Sequence, residues 1–266
     1  MKLNKIVSAV LGAASIFAVG AANAATFPDF GVTPGAYGSG FYSPFTADKI
    51  TGNYVEVVTF TGPGTFDVSL RWNAGQFVAD DGVTALSGAT TGLGSLFGYG
   101  LYAFFQGTGT FASAGGVTTF TLTGGSLSVY LDDDQNTTFV QPGSGSGAWT
   151  TGLSGDDVLL ATGTAISGEG NLDPSLPTCD PGINCGSFGQ STSFNLTAAG
   201  AGFFTSPVPF YNVSFESGQL NNFDVSGTQV INGSMDTVFT TVPEPGTLAL
   251  AGIALLGIGA VRRRKA

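Results

Sequence analysis

Between residues 26 and 241 the hydrophobic positions come in short runs rich in Thr, β-branched and aromatic residues, separated by clusters of glycine. Residues 54–60 (YVEVVTF), 65–72, 117–123, 126–131 and 188–197 are runs of this kind, and each predicts a β-strand. In 65–72 the alternation is strict. Phe66, Val68, Leu70 and Trp72 fall on one face and Asp67, Ser69 and Arg71 on the other, as in an antiparallel strand with one face against a core. No stretch between the ends repeats apolar residues at helical spacing between caps, and the abundant Gly and Thr disfavour helix. The pattern predicts one all-β domain, a β-sandwich of jelly-roll type, with long loops at 87–100 and 141–155. Neither loop changes composition enough to mark a domain boundary, and no fixed-period repeat supports a propeller or solenoid.

Both ends break this pattern. Residues 1–24 join Lys2 and Lys5 to an apolar run and then to Ala22-Asn23-Ala24, the arrangement of a signal peptide cleaved after Ala24. A retained anchor is the weaker alternative, because Ser8, Gly12 and Ser15 interrupt the run. Residues 242–266 place three parts in order: Pro243-Glu244-Pro245, sixteen mostly apolar residues from Gly246 to Val261, and a basic stop of Arg262, Arg263, Arg264 and Lys265. As a helix the apolar part spans roughly 24 Å, short of a hydrocarbon core of about 30 Å, so it predicts a transmembrane helix marginal as a permanent anchor. The basic stop stays cytoplasmic, which places the body, residues 25–241, across the membrane. The tail resembles the PEP-CTERM sorting signal of Gram-negative bacteria. That resemblance implies an exosortase as partner, a transient hold in the inner membrane, removal of the helix near Pro-Glu-Pro, and delivery to the cell surface or extracellular matrix.

Composition narrows the chemistry of the body. The chain has no histidine, which removes Ser-His-Asp and Cys-His catalysis and His-ligated zinc. From residue 25 to 242 there are 17 carboxylates against two cations, Lys49 and Arg71, a net charge of −15. Nucleic acid is excluded as a partner, since neutralising phosphates requires clustered Lys and Arg. Cys179 and Cys185 flank a Pro-Gly turn, and in an exported chain this spacing predicts a local disulfide. Asp132, Asp134 and Asn136 recur at alternate positions after a strand, an oxygen-ligand spacing suited to Ca²⁺. The loop is not an EF-hand, because Thr137 and Gly143 stand where that loop needs Gly and Glu. No other cofactor is expected. Asp80-Asp81-Gly82 and Asp156-Asp157 read as turns. Tyr99, Tyr102 and Trp149, beside glycine-rich loops, are candidates for stacking on sugar rings.

Five further stretches, 45–54 (FTADKITGNY), 100–106 (GLYAFFQ), 168–172 (GEGNL), 184–190 (NCGSFGQ) and 204–211 (FTSPVPFY), are similar to the flocculation-associated PEP-CTERM proteins. This resemblance implies a non-enzymatic extracellular protein that helps hold cells and exopolysaccharide together in flocs or biofilm, and it brings no catalytic residues. The alternative is a secreted glycan-binding β-sandwich. A secreted glycoside hydrolase ranks below both, because no motif singles out one pair of carboxylates.

Overall fold

The computed structural model describes residues 27–35, 37–38 and 40–240. Eight long strands dominate: β1 (Lys49–Gly62), β2 (Thr65–Ala79), β3 (Gly100–Ala114), β4 (Val117–Asp132), β5 (Val158–Leu172), β6 (Gly186–Thr192), β7 (Asn212–Ser217) and β8 (Thr228–Thr240). Each pairs antiparallel with the next, and β8 returns to pair with β1 from Thr228–Thr59 to Val238–Lys49. The ring is therefore an up-and-down, eight-stranded barrel. This corrects the expected sandwich: the buried faces curl onto one another and do not pack against a second sheet. Alternation shows only that one face is buried. Closure depends on stagger and on bulges such as those at Thr51/Gly52, Thr108/Gly109 and Ala165/Ser167, which no local pattern records. The two glycine-separated runs at 117–131 are one strand, continuous through Gly124 and Gly125.

Eight strands leave a lumen just wide enough for side chains. Phe66, Val68, Leu70 and Trp72 line it, as their alternation predicts, and all are buried. Trp72 donates its indole N–H to the Met235 carbonyl at 3.0 Å and meets Phe215 edge-on, with ring centroids 5.7 Å apart. Inward glycines make room for such large rings. A Cβ on Gly109 would fall on the Phe66 ring and 2.6 Å from the Thr121 carbonyl oxygen.

The two ends of the barrel differ. At one, residues 27–35, 40–48 and 193–211 form a plug. Strand Phe30–Val32 pairs with Phe45–Ala47 and Phe204–Ser206, and a short helix, α1 (Ala198–Phe203), is capped by the Thr197 hydroxyl accepting from the Gly200 N–H. Phe30, Phe77, Phe194, Phe204, Phe210 and Phe239 interlock there, with Phe30 and Phe239 centroids 4.6 Å apart. β8 ends at Thr240 on this plugged end. The turns at 62–65 and 114–117 and the loops 173–185 and 218–227 close the other end. Among the described residues no helix is long and apolar enough to cross a membrane. The two terminal helices expected from the sequence lie outside the described residues.

Candidate functional site

At the end away from the plug the lumen holds a cavity of about 70 Å³, the volume open to the centre of a water-sized sphere. Phe66, Val68, Leu70, Phe105, Phe120, Leu122 and Phe188 supply apolar walls, and Leu220 and Phe223 reach in from loop 218–227. Phe223 packs against Phe120 and Phe60 at the mouth, with centroids 6.0 and 6.4 Å away. Loop 218–227 is held in place by its neighbour: the Cys185 N–H donates to the Leu220 carbonyl (2.7 Å), the Leu220 N–H to the Gly186 carbonyl (3.0 Å), and the Asn222 N–H to the Gly182 carbonyl (2.8 Å). A disulfide joins Cys179 to Cys185, so the covalently closed loop supports the lid.

Two carboxylates border these apolar walls, the half-buried Glu56 from β1 and the exposed Glu169 from β5. β1 points Ile50, Tyr54, Glu56 and Val58 inward in turn, with Glu56 opposite Leu70 on β2 and Ile231 on β8. Among the described residues Glu56 makes no salt bridge, the single one present joining Lys49 to Asp236 at 3.0 Å. Desolvation pushes the carboxyl of the half-buried Glu56 up to about 7, because an ionised carboxylate is disfavoured where its contact with water is reduced. Tyr54, next along β1, has its phenol pushed up by burial first and by the Glu56 charge second. Gln190, also on the cavity wall, is 6% exposed and its amide nitrogen has no hydrogen-bond partner. Sequence reading missed Glu56 because Val55 and Val57 are as apolar as the inward residues beside them, which hides the alternation. Gln190 and Phe223 carried no local signal.

Outside the barrel, segment 133–157 folds back over β1, β2 and β3. The Gly145 N–H donates to the Thr59 hydroxyl (2.8 Å), Gln106 donates to the Ser146 carbonyl (2.6 Å), and the short strands Thr138–Val140 and Thr150–Gly152 pair above. The Arg71 guanidinium lies over Phe139 (4.4 Å) and Trp149 (5.1 Å). This covering changes the reading of the aromatics. Tyr99 and Tyr102 are buried, their hydroxyls donating to the Thr91 carbonyl and the Asp157 carboxylate, so neither presents a face to a sugar. Trp149 is half-buried and nearly parallel to Phe104.

At the base of this segment Asp132, Asp134 and Asp156 bring carboxylate oxygens within 4.8 Å of one another, a set of hard oxygen donors of the kind Ca²⁺ takes. The Asn136 amide nitrogen donates to Asp134 at 2.6 Å, which places its side chain beside this group. Asp132 accepts from the Asn136 and Thr137 N–H groups at 3.2 and 3.1 Å. The Asp134 carboxyl is pushed up by desolvation first, then by hydrogen bonding and charge from Asp156. Ala22, Ala24, Pro243, Glu244, Pro245, Arg262, Arg263, Arg264 and Lys265 lie outside the described residues.

Comparison with known proteins adds one match. The PEP-CTERM protein-sorting motif is found at residues 241–265, directly after β8. No curated protein and no solved structure matches the chain.

Proposed function

We infer the role of this chain from the premise that it is a PEP-CTERM protein, sorted by an exosortase and exported through the membrane toward the cell surface. On that basis we propose a non-enzymatic surface or extracellular matrix protein that contributes to exopolysaccharide-dependent flocculation or biofilm formation. The sorting motif carries the reading. The barrel supports it by its polarity: β8 ends at Thr240 on the plugged end, the last described residue before the sorting motif, and on this reading the opposite end faces outward. That outward end carries Glu169, Asp173, Asp180, Glu216 and Asp224, and among the described residues no Lys or Arg.

Such a surface repels acidic polysaccharide and other copies of itself unless divalent cations bridge the carboxylates. Ca²⁺ is therefore the proposed bridging ion for these outward carboxylates; the Asp132, Asp134 and Asp156 group, where β4 ends on the plugged side, is a separate proposed place for it. Cells making the protein should aggregate in millimolar calcium, disperse on chelation and aggregate again when calcium is restored. Flocs that persist in chelator at physiological salt would remove the cation bridge. Flocs that form equally well without this protein would remove the matrix role.

A further inference from the structure

We propose that the barrel lumen is a binding site for a small organic ammonium ion, a primary alkylamine whose charged head lies against Glu56 and whose chain runs among the phenylalanines toward the lid. The argument does not rest on the matrix role. It begins with Glu56, a carboxylate facing a cavity whose lining includes no Lys or Arg. The other ionisable residue on the lining is Glu169, which is of the same sign, and Tyr54 is the nearest titratable neighbour along β1. Glu56 is half-buried at the wall of this cavity, and among the described residues no cation is placed there to pair with it. The surrounding rings, Phe66, Phe105, Phe120 and Phe188, add faces that attract a cation and repel an anion. A protonated amine answers both features at once, donating charge-assisted hydrogen bonds to Glu56 while its carbons meet the rings.

Size sets the class. A space of about 70 Å³ exceeds the roughly 10–15 Å³ that one water needs, and admits the ammonium head and the first carbons. The remainder of the chain lies at the mouth beside Phe120 and Phe223.

The test is calorimetric titration of the full exported protein with n-butylamine at pH 8, where Glu56 is ionised and the amine still protonated. The expected result is saturable binding of one amine per chain. Binding should weaken at least tenfold in Glu56→Gln, stay unchanged in the surface control Glu216→Gln, and be at least tenfold tighter than that of n-butanol. Absence of binding overturns the proposal, as does equal affinity for n-butanol, which would mark a merely apolar cavity. Undiminished binding to Glu56→Gln, or an equal loss in Glu216→Gln, overturns it as well.

Discussion

Replacing Glu56 by Gln keeps the side chain's shape and removes its charge, which makes it a clean probe of the lumen. In the folded barrel the carboxyl ionises at about 7, against an ordinary 4.5. The acid form is thus favoured by folding, and the native state holds a proton that the unfolded chain releases between those two values. Stability from this group is fully present below about pH 4.5 and declines as pH rises through about 7. At about 1.4 kcal/mol per pH unit the full loss is about 3 kcal/mol, a large fraction of the stability of an ordinary domain. Glu56→Gln should therefore match the wild type in urea unfolding at pH 4 and exceed it by about 3 kcal/mol at pH 8. Because both proteins carry the same remaining carboxylates, the difference between them isolates position 56. An equal difference at the two pH values, or no gain at pH 8, would refute a carboxylate desolvated at the lumen wall.

Three other substitutions probe the lid, the wall and the outer segment. Cys179→Ser opens a short covalent loop and should cost about 2 kcal/mol from the entropy of the unfolded chain, read as a lower urea midpoint. Gly109→Ala pushes a methyl against Phe66 and the Thr121 carbonyl and should lower thermal stability by about 1–3 kcal/mol, whereas Gly124→Ala, with open space around its Cβ position, should cost less. Arg71→Ala removes the cation held over Phe139 and Trp149; a loss of about 1 kcal/mol is expected, together with faster proteolysis within 133–157.

The strands were legible wherever their reason is local. Phe66, Val68, Leu70 and Trp72 alternate with polar residues, and the structure turns those four into the lumen. What the pattern could not carry was the partner of that buried face. A sandwich and a barrel ask the same alternation of a strand, and the choice lies in stagger and in bulges such as the one at Thr108/Gly109. Gly124 and Gly125 read as a break because glycine weakens strands, yet Gly125 sits against the Phe105 ring, where any side chain would collide. The candidate site was less legible for the same reason. Asp132 and Asp134 were visible by spacing, but Asp156 joins them only because segment 133–157 folds back on the barrel. That same return buries Tyr102, and a position beside a glycine-rich loop had suggested the opposite. Glu56 sits in a run apolar on both faces, so its inward direction emerges only from the register with β2 and β8.

The central claim, export with removal of the tail, is tested most directly by intact-mass and terminal-peptide mass spectrometry of the protein recovered from outside the cell. The account predicts a chain that begins at Ala25 and ends near Pro243, and no such product when residues 242–266 are deleted or Glu244→Ala is introduced. A protein found only in membranes and still carrying Arg262 to Lys265 would contradict it.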